Sequence, residues 1–396
     1  MTYLPITDHG LIGDLHTTAL VKCDGRIVWL PWPRFHSPAL FTALLDDQHG
    51  DDWLLAPLNV TMRRQRYDGA TAILLTEFET DQGHATLYDW MSPWEGTAAG
   101  HDLCCVLRCT EGMITVHGRF APRPDYARAN MTLHLHDDGL DFQTQQLDFH
   151  LASNYDWTTT SDQDMATLQI TLRQGEEVRC VLSSGQRMAV DDIEADQDRT
   201  HCFWQDWIER CSYHGRWADM VRRAAITLKL LTYAPTGAIV AAPTTSLPEW
   251  IGGIRNWDYR YTWLRDASLT LYALYLLDFR KEACAFFEWI CKLAQHHPVP
   301  LQIMYGINGE ACLTETELDH LEGYRGSRPV RIGNHAYEQS QLDVYGSMID
   351  AAYLYENQGE LLSREQWQTI RKEINYVCAH WSEPDQGIWE IRGPAV

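Results

Sequence analysis

The chain has 396 residues, of which 45% are hydrophobic and 22% are charged. This composition excludes a disordered or fibrous protein, and the length suggests two domains of about 100–200 residues each. The 54 acidic residues outnumber the 32 basic ones, which gives a formal net charge of −22. Nucleic acid and anionic membranes are therefore poor partners, because a polyanion would approach against a repulsive field, whereas a neutral sugar would not.

Residues 1–190 are predicted to form an N-terminal β-sandwich domain, because short β-rich runs alternate with turn signals. Within 17–32, the pair Asp24-Gly25 lies between two such runs, which is the pattern of a β-hairpin. The other segments with a strand pattern are 71–91, 113–120 and 176–185. The many short segments favour an all-β arrangement over a mixed α/β sheet.

The polar stretch 191–199 is predicted to be a connector, and helices are expected from there to the end of the chain. We assign 191–215 to a connector with a helix and 216–396 to a helical domain. In 280–294, apolar residues recur at helical spacing and predict a helix with one buried face. By contrast, 267–277 is apolar almost all round, which is typical of a helix enclosed by other helices.

The segment 363–381 also has the pattern of an amphipathic helix. Ser363 and Gln366 have the spacing of a capping box, which predicts where this helix begins. The stripe predicted to be buried consists of Trp367, Ile370, Ile374, Val377, Cys378 and Trp381. Enclosed and half-exposed helices that alternate along the chain suggest a toroid of helical hairpins.

Charged and aromatic residues interleave in 255–268, just before the helix that is predicted to be enclosed. One interpretation is structural, with Asp266 as the helix N-cap and Arg265 paired to a nearby acid. The other is functional, because Arg265 and Asp266, framed by Tyr259 and Trp263, could bind the hydroxyl groups of a sugar. Composition alone leaves both interpretations open.

A second candidate group is Trp389-Glu390, which follows the turn 384–387 beyond the last predicted helix. Loops at the ends of helices often carry functional residues. A carboxyl group that packs against an indole loses hydration of its charged form, and this favours the protonated acid that a general acid must be. The alternative is a solvated surface glutamate.

The sequence indicates no cofactor and no metal site. Its eleven cysteines show neither a CxxC pair nor His/Cys ligand spacing, so free thiols are expected. The first residues lack a basic segment followed by an apolar run, and no stretch reaches the ~18 apolar residues of a membrane span. We therefore predict a cytoplasmic protein without a membrane partner.

Five stretches, in this order along the chain, resemble glycoside hydrolase family 15: ITDHGLIGDLHTTALV, DGRIVWLPWPRF, RNWDYRYTWLRDASLTLYALY, HLEGYRGSRPVRIGN and GIWEIRG. The resemblance is to the glucoamylase and trehalase relatives of the prokaryotic branch with a trehalase-like N-terminal domain, and it covers nearly the whole chain. It implies a β-sandwich followed by an (α/α)6 toroid. It also implies removal of glucose from an α-glucoside or trehalose, with inversion at the anomeric carbon.

The resemblance also assigns roles to individual residues. By motif match, Glu390 resembles the general acid of the family, and Arg265 and Asp266 resemble its grips on the nonreducing-end glucose. The other residues assigned to the substrate pocket are Tyr259, Trp263, Tyr337, Gln341, Asp343 and Trp389.

The inverting mechanism also needs a general base, a carboxylate ~6.5–9.5 Å from the acid that activates water. In the family this base lies in later helices, and 200–396 leaves room for about seven helices, too few for a closed toroid. We therefore expect an incomplete toroid, a chain cut off after its general acid, no general base and impaired activity. Glu317 or Glu322 as a stand-in base is a less favoured alternative, and an oligomer or second polypeptide is the expected cover of the open side.

Two other functions remain open at this point. An inverting α-glucoside phosphorylase shares the general plan and needs only one protein acid, because phosphate is its nucleophile. A non-catalytic sugar-binding remnant would expose an apolar wall and tend to self-associate. Phosphate-dependent formation of glucose 1-phosphate tests the first alternative, and light scattering with calorimetric titration of glucosides tests the second.

Overall fold

The computed structural model describes residues 3–96, 100–297, 300–390 and 392–395. The chain forms two compact units. The strand unit comprises Met1–Ile208 with Leu321–Gly326, and the helical unit comprises Glu209–His320 with Ser327–Val396.

The strand unit is built almost entirely from antiparallel β-strands. Its strands are β1 (His9–Gly13), β2 (Thr18–Lys22), β3 (Arg26–Pro31), β4 (Ala39–Phe41), β5 (Trp53–Pro57), β6 (Val60–Tyr67), β7 (Leu74–Thr80), β8 (Gly83–Met91), β9 (Gly100–Phe120), β10 (His134–His136), β11 (Gly139–Gln143), β12 (Asp148–Ser153), β13 (Thr158–Thr159), β14 (Ala166–Arg173) and β15 (Glu177–Gly185). Its helices are the single turn α1 (Pro124–Ala127) and α2 (Ile193–Ile208), with short 3-10 turns at Ile6–Asp8, Val190–Asp192 and Tyr324–Gly326.

The 21-residue strand β9 links two sets of antiparallel strands. Its first half pairs with β8 and β15 and its second half with β5 and β14. Both sets contribute to one hydrophobic core, in which the rings of Phe120 and Phe142 lie 5.8 Å apart. The hairpins predicted in 17–32 and 71–91 are confirmed as β2–β3 and β7–β8.

Helix α2 begins earlier than the sequence predicts. The segment 191–199 is predicted to be a connector, but its first two residues end the 3-10 turn Val190–Asp192 and the rest forms the first turns of α2. Asp196 is buried there, where it accepts hydrogen bonds from Trp90 Nε1 at 2.9 Å and Ser92 Oγ at 2.6 Å. The prediction failed because the donors that make a buried carboxylate acceptable lie on and just beyond the distant strand β8 and leave no trace in the local pattern.

The helical unit contains short strands as well as helices. Its helices are α3 (Ala218–Leu230), α4 (Leu264–Leu276), α5 (Arg280–His296), α6 (Asp343–Asn357) and α7 (Arg364–His380), with a 3-10 turn at His335–Glu338. Its strands are β16 (Thr262–Trp263), β17 (Met304–Tyr305), β18 (Thr316–Glu317) and β19 (Arg331–Ile332). Helix α4 packs against α5 and α6, and α7 packs against the same two helices. The face predicted for α5 is confirmed: Ala283, Phe286, Phe287, Ile290 and Ala294 are all buried.

Two predictions about helix burial are wrong in part. Helix α4 is not enclosed within the part of the chain that is described, because Leu269, Tyr272 and Leu276 are exposed on one face. Helix α7 has the predicted capping box. Its buried residues, however, are Thr369, Ile370 and Glu373, while Trp367 and Trp381 of the predicted stripe are exposed. The reason is that α5 and α6 cover a different side of α7 from the one that its periodicity favours.

Candidate active site

A buried ion pair shapes the segment that precedes α4. The Oδ1 and Oδ2 atoms of Asp258 accept hydrogen bonds from Arg260 Nε at 2.8 Å and Nη2 at 2.6 Å, and both side chains are fully buried. The Gly333 amide donates to the same carboxylate at 3.1 Å, and Asn334 Nδ2 donates to the Asp258 carbonyl at 3.1 Å. The pair therefore joins the segment before α4 to the segment before α6.

Trp263 is placed by the small sheet of β16 and β17. It lies opposite Met304, and its side chain is buried. Helix α4 begins at the next residue, so Arg265 and Asp266 fall in its first turn, where the helix dipole favours an acid. The structural interpretation of Asp266 as the N-cap is wrong, because the N-cap is Trp263 and its side chain makes no capping bond.

The carboxylate of Glu390 contacts Trp263 and Arg265. Its Oε1 atom accepts a hydrogen bond from Trp263 Nε1 at 2.7 Å and another from Arg265 Nη2 at 3.2 Å. Only 21% of the Glu390 side chain is exposed. Arg265 Nη1 also donates to the Ile388 carbonyl at 3.1 Å and to Gln341 Oε1 at 3.4 Å. One guanidinium therefore contacts the Glu390 carboxylate, the loop before it and the segment before α6.

The turn before this loop is tied to the segment before α6. The Leu342 amide donates to Asp385 Oδ2 at 2.8 Å, and the Gln386 amide donates to the Ser340 carbonyl at 3.1 Å. In return, the Ser340 amide donates to Gln386 Oε1 at 3.0 Å. Sequence reasoning recognised 384–387 only as a turn. The Asx-type pattern of Asp385 accounts for the local bond from the Gly387 amide to Oδ1 at 2.8 Å, and nothing in the local sequence signals the bond from the Leu342 amide.

Asp343 is a buried carboxylate at the start of α6. Neither of its carboxylate oxygens has a hydrogen-bond partner among the residues that the structure describes. Burial raises the pKa of Asp343, and the nearby charges of Asp385 and Asp266 add to this increase, which Arg265 partly offsets. A carboxyl group without donors in such a place favours its neutral form.

Tyr259 stands beside Trp263, and their ring centroids are 5.4 Å apart. Burial raises the pKa of its phenol, and the negative charges of Glu249 and Glu390 raise it further. The phenol therefore stays protonated and can donate a hydrogen bond. Together with the indole, it forms an aromatic wall next to the acid.

Comparison with known proteins identifies the family. Residues 215–395 match the family described as Glycosyl hydrolases family 15, and residues 2–207 match the region described as Trehalase-like, N-terminal. The chain belongs to glycoside hydrolase family 15. The N-terminal match covers the strand unit up to the end of α2, and the family 15 match covers most of the helical unit.

Similar proteins include several that carry the name trehalase. A trehalase of Mycolicibacterium smegmatis is 36% identical over 98% of this chain and 63% of its own length. One of Mycobacterium tuberculosis is 34% identical over 98% of this chain and 62% of its own length, and one of Thermoplasma volcanium is 32% identical over 98% and 63%. The chain thus spans a little under two thirds of the length of these relatives.

The similarity of this chain to a solved structure is much weaker than its similarity to these trehalase sequences. A solved structure described as a kojibiose phosphorylase from human microbiome is 10% identical, with a TM-score of 0.46. The match covers 87% of this chain and 53% of that one. A likeness at this level carries no argument about function.

Two of the residues assigned by the family 15 resemblance lie apart from the carboxylate of Glu390. Trp389 is 87% exposed, so the prediction that its indole shields the acid is wrong. Side chains of adjacent residues in an irregular loop can diverge, and the indole that contacts the acid comes from a position 127 residues earlier. Tyr337 donates to Glu338 at 2.9 Å, and no contact within the described ranges joins it to Arg265 or Glu390.

Among the residues that the structure describes, one group that could hold a metal ion lies in the strand unit. Ligand atoms of Asp14, His16 and His101 lie within 4.8 Å of one another. Both oxygens of Asp14 are already engaged, since Oδ1 accepts from the amides of His16 and Thr17 and Oδ2 lies 2.6 Å from His101 Nδ1. Burial by itself would raise the pKa of Asp14, but the hydrogen bond and charge of His101, the charge of His16 and the bond from the Thr17 amide together outweigh burial, and the pKa is lowered. This is a satisfied hydrogen-bond network.

Among the described residues, no helix combines the length and the apolar character that are needed to cross a membrane.

Proposed function

We propose that this chain contributes the general acid and the glucose-binding residues of an inverting glycosidase site, of trehalase or glucoamylase type. Glu390 is the general acid and donates its proton to the glycosidic oxygen of trehalose or a related α-glucoside. The observation that supports this most strongly is the position of the carboxyl group, which two donors, Trp263 Nε1 and Arg265 Nη2, fix through Glu390 Oε1. Both donors come from the motif WLRDAS, which resembles the glucose grip of the family.

The remaining residues are proposed to bind the glucose unit. Arg265 and Asp266, whose Nη2 and Oδ2 atoms lie 3.5 Å apart, offer a donor and an acceptor next to the acid. The other residues proposed to contact substrate are Tyr259, Trp263, Tyr337, Gln341, Asp343 and Trp389. The exposed indole of Trp389 is suited to stacking on a sugar ring that enters beside the acid.

The general base is proposed to lie outside these 396 residues. Neither stand-in is suitable: Glu317 is paired with Arg331 at 3.2 Å, and Glu322, in the strand unit, accepts a hydrogen bond from the Tyr3 hydroxyl at 2.5 Å. Asp266 shares Nη2 of Arg265 with Glu390, so it suits a grip better than a base that must leave room for water. We therefore expect the 396-residue chain alone to release negligible glucose. A second polypeptide or copy that covers the exposed face of α4 remains part of this proposal.

Binding of glucose and trehalose to the purified chain tests the proposal. Arg265→Met is expected to abolish binding detectable by calorimetry, whereas Glu390→Gln keeps it. Arg280→Met is the matched control, because Arg280 also pairs with an acid close to it in sequence, Asp278 at 2.8 Å, at the start of a helix. Equal affinity of the wild type and Arg265→Met would contradict the proposal.

Activity assays separate hydrolysis from the alternatives. Trehalose, maltose and isomaltose are incubated with the chain, with and without phosphate. Glucose release at enzymatic rates that Glu390→Gln abolishes would show that a base is present after all. Formation of glucose 1-phosphate would favour the phosphorylase.

A further inference from the structure

The loop that carries Glu390 has a second anchor after the acid. The guanidinium of Arg392 lies 4.1 Å from the ring centroid of Trp257, and its side chain is 30% exposed. Its Nη2 donates to Asn334 Oδ1 at 2.8 Å, and its Nη1 lies 3.8 Å from Glu315 Oε2. Arg392 therefore meets a ring face, an amide and a carboxylate at once.

The partners of Arg392 belong to the framework that also holds the donors of the acid. Trp257 adjoins the buried ion pair of Asp258 in the segment that leads to Trp263. Asn334 is buried, and its Nδ2 donates to the carbonyl of Asp258. A rigid acceptor of this kind fixes the guanidinium in direction as well as in distance.

The acid itself lies between these two sets of contacts. Its carboxylate contacts Trp263 and Arg265, while its backbone has a φ of +51°, a left-handed conformation that is uncommon for residues other than glycine. The turn that contains Asp385 holds the chain before Glu390, and Arg392 holds it two residues after.

We propose that Arg392 is a positioning residue, which keeps the carboxylate of Glu390 on Trp263 and Arg265 by stacking on Trp257 and bonding to Asn334. This rests on the proposed function, in which Glu390 is the acid. A planar guanidinium stacks flat on an indole and directs its N–H groups from its edge, whereas an ammonium group has no plane to stack and no fixed direction for its donors. Lysine should therefore fail at position 392 although it keeps the charge.

The test uses two readouts on the full chain. The first is the affinity, by calorimetry, for a cationic imino-sugar analogue of glucose, whose charge pairs with the carboxylate of Glu390. The second is the indole N–H resonance of Trp263, assigned with Trp263→Phe, which reports the hydrogen bond to Glu390 directly. Glu390→Ala defines the value of each readout when the contact is lost.

Arg392→Lys and Arg392→Gln are expected to lower the affinity about tenfold and to move the Trp263 resonance toward its position in Glu390→Ala. Trp257→Leu, which removes the stacking platform, is expected to move it in the same direction. Arg216→Gln is the matched control, because Arg216 lies 4.7 Å from the ring of Trp217 in a similar stack. It should change neither readout.

Two results would overturn the proposal. One is a wild-type Trp263 resonance in both Arg392 variants, which would mean that the acid stays in place without the anchor. The other is full recovery by lysine of what glutamine loses, which would reduce the role of Arg392 to its charge. If the wild type binds the imino sugar no better than Glu390→Ala does, the proposed function fails, and the Trp263 resonance still decides the positioning role.

Discussion

Replacing Glu373 by glutamine is expected to stabilise the helical unit at neutral pH. Glu373 lies on the buried face of α7, is 1% exposed, and its Oε2 has no hydrogen-bond partner among the described residues. Burial raises its pKa from 4.5 to about 7, and Lys372 offsets only part of this. An unpaired buried carboxylate is thus retained in a place that favours its neutral form.

The magnitude follows from the shift in pKa. The folded pKa lies above the unfolded one, so the folded state binds the proton more tightly and stability falls as pH rises from 4.5 to about 7. A shift of this size corresponds to about 3 kcal/mol once the pH exceeds both values. Glutamine keeps the shape but has no charge, so it should recover most of this loss at about pH 8 and almost none near pH 4.

Urea unfolding, followed by the helical ellipticity across this pH range, measures the effect. Glu288→Gln is the control, because Glu288 is an exposed residue within helix α5. The wild type should lose stability as pH rises, and Glu373→Gln should lose less. An equal pH dependence in the two proteins would refute the reasoning, as would a Glu288→Gln protein that behaves like Glu373→Gln.

Three further predictions concern other buried groups. Asp258→Ala removes the carboxylate that pairs with the fully buried guanidinium of Arg260 and should cost about 3–5 kcal/mol of unfolding free energy; a loss under about 1 kcal/mol in urea unfolding would contradict this. Trp263→Phe removes the N–H that binds Glu390, a bond to a charged group worth about 1.5–3 kcal/mol, and should weaken imino-sugar binding in calorimetry; unchanged affinity would count against the proposed acid. Burial raises the pKa of Asp89 to about 7, so the stability of the strand unit should fall as pH rises from 3.8 to about 7. Asp89→Asn should make the thermal stability less dependent on pH in this range, and the same pH dependence in the variant and the wild type would refute the prediction.

The local sequence pattern was enough to predict several strands and helices of the fold. Turn residues between β-rich runs predicted the hairpins β2–β3 and β7–β8, because a hairpin depends on neighbouring residues. The helical spacing of 280–294 predicted α5 and its buried face. Ser363 and Gln366 predicted the beginning of α7, since a capping box uses only residues three positions apart.

Other features depended on partners that are distant along the chain. The periodicity of 363–381 could not show which side of α7 would meet α5 and α6, so Trp367 and Trp381 were assigned to the wrong surface. The segment 191–199 was too polar to be predicted as helical, because the donors that satisfy Asp196 lie on and beside β8.

In the candidate site, too, some features follow from the local sequence and others from partners that are distant along the chain. The sequence by itself determined the family and, through its motifs, drew attention to Arg265, Asp266 and Glu390. Only the tertiary structure decided that the indole on the carboxylate belongs to Trp263 and that Trp389 is exposed. The physical reason is that residue type and spacing set local conformation, whereas a hydrogen bond across 127 positions depends on how the intervening helices and loops pack.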